Sequence, residues 1–223
     1  MLQGLLFDLD GTLANTDPIH FRVWQDMMHE FGQSLDRPFY QARFSGRTNQ
    51  AIVADLLPQL STEAGQQLAD RKEALFRQRA QAELTPLPGL LTLLAWSQKF
   101  PQGIVTNAPA ANAEFMLTTL HVGHYFQTVV LAETLERGKP DPLPYHVGLE
   151  RLGLTASQTI AFEDSPSGIR SAVGAGIPTI GIASTHEAEE LYAVGATLVI
   201  PDFTDGRLWQ YLDQVTGQLA VVS

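Results

Sequence analysis

The chain has 223 residues, 44% of them apolar and 17% charged, which suits a globular protein with a sizeable buried core. Its formal net charge of −10 argues against a nucleic-acid-binding surface, and the absence of cysteine excludes disulfides, thiolate catalysis and Cys-ligated zinc. The first residues lack the basic region of a signal peptide, and no apolar run approaches the roughly 20 residues that span a bilayer, so we expect a cytoplasmic protein without membrane contact.

The first predicted element is a strand over residues 4–9, a continuously apolar run that ends in polar residues and a turn. No convincing strand follows between residues 18 and 84. Residues 19–31 carry apolar side chains at a spacing of four, from Ile19 to Phe31, and residues 63–84 are rich in strong helix formers. These features predict an all-helical insert. Because residues 15–18 and 85–89 have turn-forming compositions, we expect the insert to extend over residues 16–85.

Beyond the insert, apolar runs that indicate strands alternate with stretches of helical periodicity. In chain order they are a helix over 90–98, a strand over 103–105, a helix over 113–120, a weaker strand over 128–131, a helix over 145–152, a strand over 159–162, a helix over 169–175, a strand over 179–182 and a weaker strand over 197–200. The strand runs are apolar throughout, which is typical of strands buried on both faces of a parallel sheet. The alternation predicts an open α/β core over residues 1–15 and 86–223.

The segment Asp8-Leu9-Asp10-Gly11-Thr12 carries the strongest chemical signal, because it follows the first predicted run of apolar residues directly. Ligands of open α/β sheets bind beyond the carboxyl ends of the strands. Asp8 and Asp10 can project towards the same place, where paired carboxylates either share a proton or bind a cation. Gly11 permits a sharp backbone turn. Taken alone, the segment is equally compatible with an Asp-Gly turn that follows a strand.

Further polar residues lie near the ends of other predicted strands. Thr106 and Asn107 follow the strand over 103–105. Glu163 and Asp164 follow the strand over 159–162, and Lys139 lies in a loop. The carboxyl ends of parallel strands meet at one edge of a sheet, so we expect these side chains to converge. Carboxylates suit a hard cation, and a hydroxyl and an ammonium suit phosphoryl oxygens, which predicts a combined phosphate and metal site.

These segments resemble the four ordered motifs of the haloacid dehalogenase-like (HAD) superfamily, which are matched by Asp8-Leu9-Asp10-Gly11-Thr12-Leu13, Thr106, Lys139 and Glu163-Asp164. The helical insert resembles the cap of the branch that contains β-phosphoglucomutase and the small-sugar phosphatases. The resemblance extends from Leu5 to about Asp202. It implies a Rossmann-like parallel sheet core with an inserted all-helical cap domain over residues 16–85.

The resemblance implies a role for each matched residue. Asp8 is expected to attack phosphorus and form an aspartyl-phosphate, while Asp10 protonates the leaving oxygen and then takes a proton from the attacking water or alcohol. Thr106 and Lys139 are expected to bind the transferred oxygens, and Asn107 to contact the substrate.

The resemblance also implies a Mg²⁺ ion. Its expected ligands are the Asp8 carboxylate, the Asp10 backbone carbonyl and Asp164, with Glu163 as a further ligand or just behind the ligands. Dehalogenases of the superfamily lack an acid at the position of Asp10, because a halide leaving group needs no proton. Asp10 therefore favours an oxygen leaving group over dehalogenation or phosphonate cleavage.

Residues of the insert resemble cap elements of β-phosphoglucomutase. His20 resembles a cap histidine that contacts the catalytic acid there, and Ser45-Gly46-Arg47 and Arg71-Lys72 resemble elements that meet the far phosphate or the sugar. We therefore expect His20, Arg47 and Lys72 to bind substrate. Each has an ordinary alternative: His20 suits a helix surface, Arg47 need not meet a phosphate, and Lys72 lies among charged neighbours that indicate a solvated face.

The form of two motifs bears on the reaction. Gly138-Lys139-Pro140-Asp141-Pro142 has the form associated with phosphatases of this branch, and Val105-Thr106-Asn107-Ala108-Pro109 departs from the mutase pattern. We therefore expect a Mg²⁺-dependent phosphatase. Its substrate should be a small phosphorylated metabolite, with sugar phosphates as the leading class, because a closing cap excludes macromolecules.

Two alternatives stay open. A β-phosphoglucomutase would use the same phosphoenzyme, and a non-catalytic phosphate-binding relative should lack at least one of Asp8, Asp10 and Asp164, all of which are present. We expect a monomer, and a tail without an evident role over residues 218–223.

Overall fold

The computed structural model describes residues 1–44 and 47–217. Ser45 and Gly46 of the predicted cap stretch, and the tail expected over residues 218–223, lie outside the described residues. The chain divides into two compact units, Met1–Asn15 with the described part of Thr85–Ser223, and Thr16–Leu84. The first unit contains the sheet, and the elements described in the second unit are all helices.

One parallel sheet dominates the described part of the first unit. Its six strands are β1 (Gly4–Phe7), β2 (Gln102–Thr106), β3 (Thr128–Leu131), β4 (Thr159–Glu163), β5 (Thr179–Ile182) and β6 (Leu198–Ile200). Their spatial order is β3-β2-β1-β4-β5-β6, and every neighbouring pair is parallel. The six strands predicted from apolar runs are confirmed, including the two weaker ones.

Helices alternate with these strands, and helices are the regular elements of the described insert. In chain order they are α1 (Asp17–Glu30), α2 (Arg37–Arg43), α3 (Asn49–Leu56) and α4 (Thr62–Glu83) in the second unit, and α5 (Leu90–Ser97), α6 (Ala110–Thr119), α7 (Leu143–Leu152), α8 (Pro166–Gly174), α9 (Ala188–Ala193) and α10 (Gly206–Thr216) in the first. Short 3₁₀ turns lie at Gly123–Tyr125, Ala132–Thr134 and Ala156–Gln158. Within the described residues, no helix combines the length and the apolarity that crossing a bilayer requires.

The centre of the sheet explains where a ligand can bind. Every residue of β1 is buried, and the Phe7 ring stacks on that of Phe162 in β4 at 4.8 Å. β1 ends at Phe7, two residues before the predicted strand end, although the Asp8 backbone N–H still donates to the Phe162 carbonyl of β4 at 2.9 Å. The chain proceeds outwards from β1 to β2 and β3 on one side, and through β4, β5 and β6 on the other. Such a reversal of strand order leaves a crevice at the carboxyl ends of the two central strands.

The apolar spacing in the second unit correctly indicates helix α1, and Val23 and Met27 are fully buried. The prediction for Phe31 is wrong. α1 ends at Glu30, and Phe31 lies beyond it with 36% of its surface exposed. Gly32, with φ +72°, turns the chain there, so the four-residue spacing stops with the helix.

The short helices α2 and α3 were not located by periodicity, although both have side-chain caps. Asp36 accepts a hydrogen bond from the backbone N–H of Phe39 at 2.8 Å, and Thr48 accepts one from Ala51 at 3.2 Å. Such caps satisfy backbone donors that the first turn of a helix leaves unpaired. They fix helices that are too short for a clear apolar period.

Candidate active site

Four ionisable side chains, carried by three segments of the chain, lie at the carboxyl edge of the sheet. Asp8 follows β1, Glu163 ends β4 and Asp164 follows it, while Lys139 lies in the loop between β3 and α7. Because β1 and β4 are parallel neighbours, the ends that carry the three acids are adjacent. The acids are buried, with 7%, 0% and 6% of Asp8, Glu163 and Asp164 exposed. The fold therefore gathers residues that are widely separated in the sequence.

The Lys139 ammonium lies at the centre of this group. Its Nζ donates to Asp8 Oδ1 at 2.6 Å, to Glu163 Oε1 at 2.5 Å and to the backbone carbonyl of Val105 at 2.7 Å. An ammonium has three protons, so these three acceptors fix its position. Burial opposes the charge, but Asp8 and Glu163 outweigh burial and raise the pKa of Lys139. Lys139 therefore stays positively charged.

The buried acids outnumber this one ammonium. Burial raises the pKa of Asp8 and Lys139 lowers it, and with added repulsion from Glu163 and Asp10 the pKa lies at about 7. Burial, together with the charges of Asp8 and Glu163, raises the pKa of Asp164 well above its usual range. Ionising these acids together is therefore unfavourable, and a bound cation would relieve their mutual repulsion.

The two carboxylate oxygens of Glu163 differ in their partners. Oε1 accepts from Lys139 and from the Tyr145 hydroxyl, which lies 2.8 Å away, whereas the buried Oε2 has no hydrogen-bond partner within residues 1–44 and 47–217. The sequence did not reveal the part played by Tyr145, which lies on the buried face of α7. One signal was available, because the hydroxyl of a buried tyrosine usually needs a partner.

Two glycines allow the acids to approach the backbone. A Cβ on Gly168, in the first turn of α8, would lie 1.8 Å from Glu163 Oε2. A Cβ on Gly11 would lie 2.1 Å from Asp164 Oδ2, and Gly11 also has φ +80°, a conformation that favours glycine. The sharp turn expected at Gly11 is therefore present. Any side chain at either position would push against a carboxylate of the cluster.

The donor atoms fit a hard divalent cation. Asp8, Glu163 and Asp164 each offer a ligand atom, and these atoms all lie within 4.8 Å of one another. Two observations agree with such a role: Glu163 Oε2 has no hydrogen-bond partner among the described residues, and the buried acids repel one another. Carboxylate oxygens are the ligands that Mg²⁺ prefers. Asp10, which is partly exposed, is not in this trio, although its charge acts on Asp8.

Thr106 and Asn107 lie at the end of β2, beside Val105. The Thr106 side chain is buried, and its hydroxyl oxygen accepts from the backbone N–H of Ala108 at 3.0 Å. Asn107 exchanges two hydrogen bonds with the backbone of Lys139: Oδ1 accepts from its N–H at 3.1 Å, and Nδ2 donates to its carbonyl at 3.3 Å. Asn107 therefore holds the Lys139 loop. Its predicted contact with substrate stays a prediction.

Within the helical unit, the structure brings together two residues expected to bind substrate. Lys72 Nζ lies 2.8 Å from His20 Nδ1 and 2.8 Å from Glu73 Oε1, and the His20 ring stacks on Phe76 at 4.0 Å. Lys72 is only 4% exposed, so the alternative of a solvated lysine is wrong. Charged neighbours in sequence suggested solvent, but packing of α1 against α4 turns this side chain inwards.

Arg47, the third expected cap residue, has local partners. Its Nη1 donates to Asp55 Oδ2 at 2.8 Å and to the Arg43 carbonyl at 2.9 Å. The hydrogen bonds from Arg43 and Arg47 lower the pKa of Asp55. A phosphate contact by Arg47 would have to compete with Asp55, and it stays a prediction.

The parallel sheet, the acidic cluster at its carboxyl edge and the helical insert define the class of protein. The family model described as haloacid dehalogenase-like hydrolase matches residues 5–182, and the chain belongs to this family. The crystal structure of a HAD hydrolase, family IA, variant 3, from Entamoeba histolytica is similar, with a TM-score of 0.87 and 28% identity, covering 96% of this chain and 100% of that one. The predicted α/β core with an inserted helical cap is confirmed.

Two curated relatives narrow the enzyme class. A validoxylamine A 7'-phosphate phosphatase of Streptomyces hygroscopicus subsp. limoneus is 32% identical over 214 residues, 95% of this chain and 99% of the relative. A fructose-1-phosphate phosphatase of Escherichia coli is 31% identical over 186 residues, 80% of this chain and 95% of the relative. The prediction of a HAD-like phosphatase, a phosphoric monoester hydrolase, is confirmed.

Proposed function

We propose that this enzyme is a Mg²⁺-dependent phosphatase that removes phosphate from a small phosphorylated carbohydrate through an aspartyl-phosphate on Asp8. The observation that carries the proposal is the contact of Lys139 with both Asp8 and Glu163 in a cluster of three buried acids. A fixed ammonium beside a carboxylate nucleophile can neutralise charge on a transferred phosphoryl group.

Asp8 is the proposed nucleophile. One of its carboxylate oxygens attacks phosphorus, and the bond between phosphorus and the ester oxygen breaks. Asp10 donates its proton to the departing sugar oxygen, so an alcohol leaves rather than an alkoxide. Water then attacks the same phosphorus and gives a proton to Asp10, and the bond from phosphorus to Asp8 breaks. Asp8 is regenerated and inorganic phosphate is the second product.

The surrounding residues hold this reaction in place. Lys139 holds Oδ1 of Asp8 and brings its positive charge close to the phosphoryl group, and the buried Thr106 hydroxyl is a further proposed contact. Mg²⁺ would be held by Asp8, Asp164 and the backbone carbonyl of Asp10. Glu163 would be a further ligand or would contact the ligands rather than the ion. The bound ion supplies positive charge that favours ionised Asp8 and offsets charge on the phosphoryl group.

The substrate class rests on two supports. Two curated relatives carry the names of phosphatases for phosphorylated carbohydrates, validoxylamine A 7'-phosphate and fructose 1-phosphate. The helical unit also contains a hydrogen-bonded pair of side chains, the buried Lys72 and the partly buried His20. We propose that residues 16–85 act as a cap and that His20, Arg47 and Lys72 select the substrate, with Asn107 contributing from the core. We further propose a cytoplasmic monomer without nucleic-acid or membrane partners.

The proposal is tested by supplying purified protein and Mg²⁺ with a panel of sugar phosphates. The panel includes fructose 1-phosphate and β-glucose 1-phosphate, the latter with a trace of glucose 1,6-bisphosphate, and both free phosphate and glucose 6-phosphate are followed. Free phosphate without an isomer is the expected result, and it should be lost with EDTA and in Asp8→Asn. Asp70→Asn, which changes an exposed carboxylate of α4, is the matched control. Rapid glucose 6-phosphate with little free phosphate would instead identify a mutase.

A further inference from the structure

The loop after β5 joins the two acidic loops of the site. Ser184 Oγ donates to the backbone carbonyl of Gly11, and Asn15 Nδ2 donates to the Ser184 carbonyl at 3.3 Å. The next residue, Thr185, reaches Asp164 instead. A single loop, residues 184–186, therefore contacts the segment that carries Asp8 and also the segment that carries Asp164.

The Thr185 hydroxyl bonds directly to the proposed metal ligand. Its Oγ1 donates to Asp164 Oδ2, and it lies 2.9 Å from His186 Nδ1. A hydroxyl has one proton, and a carboxylate is its strongest acceptor among these neighbours. The lone pairs of Oγ1 remain available to accept from His186. This arrangement gives a hydrogen-bonded chain from His186 through Thr185 to Asp164.

Asp164 Oδ2 also lies against the backbone at Gly11. Oδ2 lies so close to Gly11 that a Cβ there would be 2.1 Å from it, and the same Cβ would be 3.0 Å from Thr185 Cγ2. Asp164 is 6% exposed. The same oxygen is therefore in contact with glycine backbone and with the threonine hydroxyl, which restricts rotation of the carboxylate.

We propose that Thr185 is a positioning residue that orients the Asp164 carboxylate for a divalent cation and so sets the affinity for Mg²⁺. The inference rests on the metal site of the proposed function but not on the identity of the substrate. Outer partners of metal-binding carboxylates typically change metal affinity by about 10- to 100-fold when they are removed. A residue that served only to brace the loop would change folding stability and leave the affinity unaltered.

Thr185→Val separates these two roles, because valine has nearly the same shape and retains a methyl group beside Gly11 but lacks the hydroxyl. Thermal unfolding of the whole protein is followed as MgCl₂ is added to metal-free samples without substrate. This titration gives both the stability in EDTA and the Mg²⁺ dissociation constant. We expect the constant to rise about 10-fold or more in Thr185→Val and to stay within about threefold of wild type in Thr185→Ser.

Two further variants support the comparison. Thr216→Val removes a hydroxyl that bonds the Leu212 carbonyl in α10, so it should not alter Mg²⁺ binding. If the valine variant does not fold, Thr185→Ala replaces it, with the same expected loss of affinity. Unchanged Mg²⁺ affinity in the folded variant overturns the inference alone. A wild-type protein that binds no Mg²⁺ overturns both the inference and the proposed function, whereas Mg²⁺ binding that depends on Thr185 without phosphatase activity overturns only the proposed function.

Discussion

Lys139 Nζ lies 2.6 Å from Asp8 Oδ1, although the two residues are 131 positions apart in the chain. The loop that carries Lys139 is held by Asn107, and the ammonium is held by Val105 and Glu163 as well as by Asp8. The Lys139 ammonium is therefore in place before any phosphate binds. Preorganised charge of this kind stabilises a developing negative charge without the cost of rearrangement during the reaction.

Tyr145→Phe should reduce both activity and stability. The change removes one of the two hydrogen bonds to Glu163 Oε1 but keeps the ring that fills the buried space. Glu163 would then interact more strongly with Lys139 and draw it from Asp8, so we expect kcat to fall about 10-fold. Loss of a hydrogen bond to a buried carboxylate should cost about 1.5–3 kcal/mol in the free energy of unfolding.

Steady-state kinetics and urea unfolding measure the effects of Tyr145→Phe on kcat and on stability, and Tyr125→Phe, at the opposite edge of the sheet, is the control. Wild-type kinetics in Tyr145→Phe would contradict this account of Glu163.

Gly168→Ala should be far more damaging than Gly174→Ala in the same helix. At Gly168 the new methyl group would lie 1.8 Å from Glu163 Oε2, whereas at Gly174 the nearest atom, in Pro142, is 3.4 Å away. We expect Gly168→Ala to lose at least about 100-fold in kcat and about 1–3 kcal/mol in stability, because Glu163 must move. Gly174→Ala should be neutral or stabilising by up to about 1 kcal/mol. Equal effects of the two substitutions on kcat and stability would show that Glu163 is not confined.

Glu73 should make the protein sensitive to acid. Burial raises its pKa, but Lys72 and His20 lower it more, from 4.5 to about 2. A lowered pKa in the folded state stabilises the protein above pH 4.5, and this contribution is lost as the pH falls towards 2. The stability of wild type relative to Glu73→Gln should therefore decrease by about 2 kcal/mol between pH 6 and pH 3. Denaturant unfolding in EDTA at several pH values measures this, with Glu150→Gln on α7 as an exposed control. If the free energies of unfolding of wild type and Glu73→Gln differ by the same amount at every pH, then Glu73 does not form an ion pair with Lys72.

Stabilisation by Mg²⁺ should grow as the pH rises. Without metal, the pKa of Asp8 is raised from 3.8 to about 7 by burial and neighbouring acids, although Lys139 opposes them. A raised pKa makes the folded protein lose stability as the pH rises from 3.8 towards 7. Because the metal binds the ionised ligand, it should raise the melting temperature more at pH 8 than at pH 5.5. Thermal unfolding with MgCl₂ or EDTA tests this, and Asp8→Asn should show a smaller dependence on pH. An identical shift at both pH values would argue against Asp8 as a ligand.

The sequence predicted the parts of the fold that depend on local pattern. Apolar runs located the strands, and polar residues beyond them, such as Asp8 and Glu163, were expected to meet because parallel strands share one carboxyl edge. Contacts between distant segments were not readable. Tyr145 and Thr185 look ordinary in sequence, and only the folded chain places their hydroxyls beside Glu163 and Asp164. Burial of Lys72 was also missed, because its charged sequence neighbours indicated a solvated face and the packing of α1 against α4 could not be read from the sequence.

Trapping the acyl phosphate would show whether phosphate passes through Asp8. The enzyme would be mixed with Mg²⁺ and its best substrate from the panel, stopped in acid and treated with borohydride, which reduces an aspartyl-phosphate to homoserine. Peptide mass spectrometry then identifies the changed residue. We expect homoserine at position 8 only when substrate and Mg²⁺ are both present, and none in Asp8→Asn. Homoserine at another aspartate, or steady phosphate release from Asp8→Asn, would contradict it.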